Sequence, residues 1–199
     1  MSGANSDRRQ TARVKEVSLF EEALKIAGTA QVEGLGRVSN ISRRDFEERE
    51  SFLFRAPVPC LEYVSLMIEN ALLLRANRKG RVFIGFEKLS RMEPVAGLYL
   101  RIADLSERIY VFGEADWKPP RHPNMKVVTI SPDNRLAREW FVIADSSTLS
   151  VALVGFDEDG FNHPVLEERT FHAFKSSNPA IVAQLAALAE ELVDSSLAG

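Results

Sequence analysis

The sequence is poor in the residues that build disulfides and metal sites. It holds one cysteine, Cys60, and three histidines, His122, His163 and His172, in 199 residues. A single cysteine cannot form an intramolecular disulfide or a cysteine-rich metal site, and a chain without a disulfide framework suits a reducing compartment. The histidines do not stand at a metal-ligand spacing such as i,i+4, so the pattern does not indicate a zinc site. These residues identify no cofactor.

Several motifs of nucleotide-binding and hydrolytic proteins are also missing. The chain contains no G-x-G-x-x-G, no G-x-x-x-x-G-K-[ST] and no G-x-S-x-G, which are the patterns of phosphate loops and of a nucleophile elbow. No apolar run approaches the roughly 20 residues of a membrane helix, and the N-terminus lacks the apolar core of a secretory signal. The net charge of −3 lacks the basic excess of a nucleic-acid surface. We expect a cytoplasmic protein without a membrane span or a nucleic-acid partner.

The alternation of apolar runs and turn residues predicts a mixed α/β fold. A strand at 81–87, a helix at 92–106 and a strand at 108–114 form a βαβ unit, for which a parallel, right-handed pairing is expected. We expect a sheet of five to six strands with helices on its faces. The other predicted strands are 124–131, 139–146, 149–159 and 167–177, the last with Phe171 and Phe174 at its apolar positions. The other predicted helices are 18–27, about 42–50, 58–77 and 179–193.

Local signals mark the starts of two helices and one turn. Ser18 and Glu21 fit a capping box. Asn178 followed by Pro179 is a start signal, because asparagine caps a helix and proline suits its first position. The short junction at 146–148 predicts an antiparallel hairpin between its flanking strands.

The stretch VFGEADWKPPRHPN, residues 111–124, places chemically capable side chains directly after a buried strand. In open α/β sheets, ligands bind outside the carboxyl ends of the parallel strands, and that rule selects this stretch and the loop 87–91. Arginine holds anions with two hydrogen bonds, tryptophan stacks on rings, and histidine titrates near neutral pH. We therefore expect one rim that binds a ligand with an anionic group and a flat ring. The rim residues are Glu87, Lys88, Arg91, Glu114, Asp116, Trp117, Arg121 and His122.

Each of these features also has a structural interpretation. The segment 117–120 can fold back as a stiff lid over the strand, with its charges solvated. Trp140 fits either a ligand pocket or the core, where it would be flanked by a surface ion pair of Arg138 and Glu139, and burial statistics favour the core. Cys60 starts a helix, where a thiol can be activated, but a lone cysteine is more often a small buried residue.

The stretch at 111–124, the run LAREWFVIADSSTLSVALVGFDEDG and the run FHAFKSSNPAIVAQL together resemble the DICT domain, a family named for diguanylate cyclases and two-component systems. The resemblance covers about residues 50–195, includes the strand RVFIGFEKLS, and is greatest to cyanobacterial members. We expect a flexible arm at 1–15 and a single DICT-like domain at 16–199. The resemblance implies a sensory input role, with a proposed link to light responses and a signalling protein as output partner. It assigns no site residues.

Three functions stay open at this point. The first is a non-enzymatic sensor that binds a small molecule or a protein at the rim 87–91 and 114–122, and that responds by a population shift. The second is an enzyme with His122 or Glu114 as general base. The third is an adaptor, for which a homodimer is one option, that works through the helix at 58–77 or the last helix.

Overall fold

The computed structural model describes residues 17–74 and 80–197, which build one eight-stranded mixed sheet with helices on both faces. The expected arm at 1–15 and the end of the helix predicted to reach 77 lie outside the described residues. The strands are β1 (Val32–Gly34), β2 (Ser51–Pro57), β3 (Arg81–Lys88), β4 (Arg108–Glu114), β5 (Met125–Thr129), β6 (Glu139–Asp145), β7 (Ser150–Asp157) and β8 (Thr170–Ser176). The helices are α1 (Leu19–Ala27), α2 (Arg43–Glu48), α3 (Val58–Leu74), α4 (Ala96–Leu105) and α5 (Pro179–Leu197).

The strand order across the sheet is β1-β2-β8-β7-β6-β3-β4-β5. The predicted βαβ unit is confirmed, because β3 and β4 pair in parallel. The predicted hairpin is confirmed as well, because β6 and β7 pair antiparallel from Asp145 opposite Ser150. Strands β1, β2, β3, β4, β5 and β7 run in one direction, and β6 and β8 run in the other. We call the end of the sheet where β3 stops the carboxyl end, and the end where β3 starts the amino end.

The α/β class is confirmed, but the prediction of five to six strands was too low. Strand β1 is a three-residue edge strand inside a segment that was expected to be a connector. Strand β2 follows a helix that ends at Glu48, and three of its successive residues, 52–54, are buried. Both faces of β2 are covered, so it lacks the period-two alternation that identifies a half-buried strand.

Two hydrophobic clusters cover the two faces of the sheet. One packs α3 and α4 against side chains such as Val82, Ile84 and Leu153. The other packs α1 and α5 against side chains such as Phe83 and Phe141. The alternation of residues 82, 83 and 84 between the two clusters is the period-two pattern of a strand that is buried on both sides. None of the helices in 17–74 and 80–197 is long and apolar enough to cross a membrane.

The approach to α4 differs from the helix predicted at 92–106. The chain first forms a 3₁₀ segment over Leu89–Val95 and becomes α-helical only at Ala96. Pro94 therefore lies inside the 3₁₀ segment and not in the first turn of an α-helix. Further 3₁₀ turns lie at Val38–Asn40, Arg135–Arg138 and Leu166–Glu168.

Glu139 was expected to form a surface ion pair, and this expectation was wrong. Its side chain is fully buried, at the start of β6. It accepts hydrogen bonds from the Ser18 hydroxyl and from the backbone N–H groups of Leu19 and Phe20. The Ser18 hydroxyl in turn accepts from the N–H of Glu21, so Ser18 caps α1 as predicted. Burial raises the pKa of Glu139 to about 8, although these hydrogen bonds oppose the rise.

The close contact of β3 with β6 leads to a matched pair of glycine variants. A Cβ added at Gly85 would lie 2.2 Å from Cε1 of the buried Phe141 ring, whereas a Cβ at Gly97, in the first turn of α4, would meet nothing within 4 Å. We expect Gly85→Ala to lower the free energy of unfolding by about 1–3 kcal/mol, because the packed ring must move. Gly97→Ala should be neutral or raise it by up to about 1 kcal/mol. Urea denaturation measures both, and equal midpoints would contradict the described packing.

Candidate functional site

At the carboxyl end of the sheet, four charged residues form a buried network that we call the Arg169 cluster: Arg169, Asp157, Glu87 and Arg91. Arg169 and Asp157 have no exposed side-chain surface, and the Arg169 Nη1 atom lies 2.5 Å from Asp157 Oδ2. The other Arg169 nitrogen, Nη2, lies 3.3 Å from Oε2 of the equally buried Glu87. Arg91 Nη1 donates to the same Glu87 oxygen at 2.9 Å. Two guanidinium groups therefore meet two carboxylates.

The backbone explains how Glu87 reaches this cluster. Its φ is 63°, and the register of β3 against β4 shifts between Gly85 and Lys88. A bulge of this kind turns a strand residue to a new direction. Burial raises the pKa of Glu87 to about 7, although the charges of Arg169 and Arg91 oppose the rise. Burial also lowers the pKa of Arg91.

An aromatic ring covers the cluster from outside. The Arg169 guanidinium lies 4.5 Å from the centroid of the Phe161 ring, and Lys88 Nζ lies 4.4 Å from the same centroid. Cation–π contacts of this type stabilise a cation that has lost its water. The charged groups of the Arg169 cluster thus have partners within the protein, and the cluster closes the carboxyl end of the sheet.

Asp116 lies at the same end and joins the two loops that the sequence selected. Its carboxylate accepts from the backbone N–H of Ser90 at 2.9 Å and from the Ser90 hydroxyl at 2.6 Å. Partial burial would raise the pKa of Asp116, but the hydrogen bonds from Ser90 lower it below its usual value. Glu114 ends β4 and is half-buried. Trp117 is half-buried against the cluster that contains α3 and α4.

Arg121 and His122 are not brought to this rim. His122 Nε2 lies 3.0 Å from Oδ1 of Asp104, near the end of α4, and His122 Nδ1 accepts from the N–H of Asn124. Asn124 in turn donates to the carbonyl of Ala103. Because β4 and β5 are parallel, the chain between them must return from the carboxyl end to the amino end. The segment 115–124 makes that return, so its two halves lie at different ends. A groove of about 390 Å³ lies along 119–123, Met125 and Val127.

Trp140 and Cys60 are core residues. Trp140 is 7% exposed and meets the Phe171 ring edge to face at 6.0 Å. The Arg91 guanidinium lies 5.2 Å from the centroid of the Trp140 indole. Cys60 is buried, and burial raises the pKa of its thiol, which is the opposite of the activation that a reactive cysteine needs.

The sequence reasoning missed a cavity of about 520 Å³ at the amino end of the sheet. Its walls come from α2, α3, the β6–β7 hairpin, the end of β8 and the start of α5. Lys175 lies in this wall although its side chain is buried, with 1% of the residue exposed. The lining residues are Phe46, Glu47, Met67, Ile68, Ala71, the run 146–151, Lys175, Ser177 and Pro179.

The alternation of side chains between the two faces of β8 could have identified Lys175 from the sequence. Phe171 and Ala173 belong to the core cluster that faces α3, so Lys175, two residues further on, is directed to the same face. Phe171 and Phe174 were predicted at the apolar positions of this strand, and both are buried, but residues three apart in a strand lie on opposite faces. Phe174 indeed belongs to the other cluster.

Within the described parts of the chain, no group of three His, Cys, Asp or Glu side chains could hold a metal ion. The cavity wall is instead rich in hydroxyl groups. Four serines and one threonine line it: Ser146, Ser147, Thr148, Ser150 and Ser177. The Ser146 hydroxyl shapes the hairpin, since it accepts from the N–H of Leu149 at 2.9 Å.

Comparison with known proteins gives a family match. Residues 61–156 match the sequence model of the DICT family, described as a sensory domain in diguanylate cyclases and two-component systems. The match runs from α3 to β7 and supports the resemblance drawn from the residues. No curated protein matches the chain.

Two solved structures are similar to the chain. A polyphosphate kinase from Porphyromonas gingivalis is 13% identical, with a TM-score of 0.50 over 77% of this chain and 29% of the kinase chain. The chain thus spans less than a third of that kinase, and the likeness concerns the fold alone. NucT from Helicobacter pylori is 12% identical, with a TM-score of 0.40 over 73% of this chain and 98% of its own.

The Arg169 cluster can be tested against an exposed arginine of the same sheet. Arg169→Ala would leave Glu87 and Asp157 without their shared cation, and we expect it to lower the free energy of unfolding by about 3–5 kcal/mol. Arg55 pairs with Glu158 at the surface, so Arg55→Ala should cost less than about 1 kcal/mol. Chemical denaturation of both variants measures the difference. Similar losses would show that the cluster does not hold the carboxyl end together.

Proposed function

We propose that this chain is a non-enzymatic sensory module whose small ligand occupies the cavity at the amino end of the sheet, and whose response passes to a signalling protein. The observation that carries the proposal is the 520 Å³ cavity between α2, α3, α5 and the β6–β7 hairpin. That volume falls within the range of small-molecule sites, about 300–1,000 Å³. The match of residues 61–156 to a sensory family supports the same role.

The cavity is a better ligand site than the rim at 87–91 and 114–122. At the rim, Glu87, Arg91 and Asp116 already have partners within the protein, so a ligand would have to displace them. Both ring nitrogens of His122 are also in hydrogen-bond contact. This weakens the alternative in which His122 acts as a general base, because such a base needs a nitrogen that can reach a substrate proton.

One wall of the cavity is suited to move. Helix α2 has six residues, of which Phe46 is buried. Phe46 meets Phe52 of β2 edge to face at 5.8 Å. The other side of the helix carries two exposed ion pairs, Arg43–Glu47 and Arg44–Glu48. Exposed pairs of this type contribute little to the stability of the fold. A ligand that contacts α2 in one arrangement and not in another would shift the population between them.

The output would then be a change in the surface that α2 and α3 present to a protein partner. Leu66 of α3 is 43% exposed and Leu74 is 78% exposed. Surface leucines on a helix that lines the same cavity as α2 fit a contact that the ligand strengthens or weakens. The links to light and to cyanobacterial members stay predictions from the sequence resemblance, and the homodimer stays part of the adaptor hypothesis.

A cavity-filling variant tests this proposal. Ala71→Phe places a ring in the cavity wall, and Leu66→Phe places the same ring on an exposed part of α3. From a panel of anionic, cationic and neutral metabolites, we expect compounds that raise the melting temperature of the wild type by several degrees. The Leu66→Phe protein should keep that response and the Ala71→Phe protein should lose it. Equal responses in both variants, or no stabilising compound in the panel, would contradict a ligand in the cavity.

A further inference from the structure

Lys175 is a buried cation, and its contacts do not include a carboxylate. The residue is 1% exposed, and its Nζ atom donates to the carbonyl of Arg49 and to the Ser177 hydroxyl, the latter at 3.2 Å. It also lies 5.1 Å from the centroid of the Phe46 ring. Among the described residues it makes no salt bridge. A buried ammonium without a counter-charge is costly unless something else compensates it.

The two buried cations at the ends of β8, Arg169 and Lys175, differ in their partners. Arg169 precedes β8 at the carboxyl end, and Lys175 lies near the other end of the same strand. The guanidinium of Arg169 is balanced by two buried carboxylates, Asp157 and Glu87. Lys175 has neutral acceptors and faces a cavity. The first arrangement is complete within the protein, whereas the second leaves a positive charge beside an open volume.

The nearby charged groups do not neutralise Lys175. Glu47 lines the cavity but is bound to Arg43 at 2.8 Å on the exposed side of α2. Glu50 accepts from the side chain of Asn178. Arg49 adds a second positive charge near Lys175, and it pairs with Glu33. The pKa of Lys175 is lowered to about 8 mainly by burial and secondly by Arg49, while Glu47 and Glu50 oppose the shift.

Apart from Glu47 and the apolar side chains, the wall carries hydroxyl groups that can bind an anion. Ser147, Thr148 and Ser150 bring hydroxyl groups, which donate hydrogen bonds as readily as they accept them. The Ser177 hydroxyl also lies in the wall, but it donates to the carbonyl of Glu50. Pro179 opens α5 and also lines the cavity. The apolar part of the wall, Met67, Ile68 and Ala71, is suited to the uncharged portion of a ligand.

We infer that the cavity binds a small phosphate monoester, with the phosphate held by the Lys175 ammonium and the surrounding hydroxyl groups. The inference rests on the proposed ligand site and names its chemistry. A phosphate has several acceptor oxygens for one ammonium and several hydroxyl donors, whereas a carboxylate has two. Lys175 is a binding residue in this account, and no bond is made or broken.

The test uses glucose 6-phosphate as the probe, with glucose, acetate and inorganic phosphate as comparisons, in calorimetric titrations at pH 7. We expect glucose 6-phosphate to bind at least about tenfold more tightly than glucose or acetate. Inorganic phosphate should compete with it. Lys175→Met should weaken binding by about 10- to 100-fold, and Lys25→Met, at an exposed lysine of α1, should leave it unchanged.

We expect the Lys175→Met protein to fold, because the variant removes a buried ammonium that has no carboxylate partner. Replacing an uncompensated buried charge with an apolar side chain of similar length is expected to maintain or raise the melting temperature. A second measurement needs no variant. Glucose 6-phosphate should bind the wild type more weakly as the pH rises above about 8, since Lys175 then loses its proton.

The outcomes separate this inference from the proposed function. If neutral compounds bind in a manner that Ala71→Phe abolishes, and phosphate compounds do not, the cavity is a ligand site but the phosphate assignment is wrong. If acetate binds as tightly as glucose 6-phosphate, the preference for phosphate is overturned. Binding of glucose 6-phosphate that is insensitive to both Ala71→Phe and Lys175→Met would place the anion elsewhere and overturn the inference.

Discussion

The buried contact of Arg169 with Asp157 and Glu87 is the constraint on which the rest of the structure depends. It joins β7, β3 and the start of β8 at one point, and it uses charges that would be costly if any partner were removed. The backbone of Arg169 also contributes, because its carbonyl accepts from the N–H of Val58 at the beginning of α3. One residue thus connects three strands to the helix that covers them.

In the proposed function, this contact also explains why the ligand is placed at the amino end of the sheet. The carboxyl end of the sheet is where ligands usually bind in open α/β folds, and here that end is occupied by the protein's own ion pairs. The Phe161 ring and the Asp116–Ser90 hydrogen bonds complete the closure. The 520 Å³ cavity lies at the amino end, where antiparallel strands end in a short hairpin and Lys175 lines the wall. A mixed sheet permits this arrangement because β6 and β8 have their own carboxyl ends there.

The elements that were predictable from the sequence are those with strong local signals. The cap at Ser18, the hairpin between β6 and β7 and the start of α5 after Asn178 follow from short-range hydrogen bonds and turn chemistry. Strands β1 and β2 were missed for different reasons. Strand β1 is a three-residue edge strand, and β2 is buried on both faces, so neither shows a period-two pattern.

The candidate site was harder to predict because it depends on long-range direction. The segment 115–124 looked like one loop, but the parallel pairing of β4 and β5 separates Asp116 from His122. Glu139 looked like a surface residue because the N-terminus of α1, more than 100 residues earlier, cannot be placed beside it from local sequence. Lys175 stands at a core-facing position of its strand, and that irregularity was the signal for the cavity.

The most direct test is to measure the pKa of Lys175 by carbon- and nitrogen-detected NMR of the lysine side chains. The Lys175→Met variant identifies the Lys175 signal. A buried ammonium that lacks a carboxylate and faces the cavity should titrate near pH 8 in the free protein, and saturating inorganic phosphate should move its pKa towards the ordinary value of 10.5. A pKa of 10.5 in the free protein, unchanged by phosphate, would contradict the account.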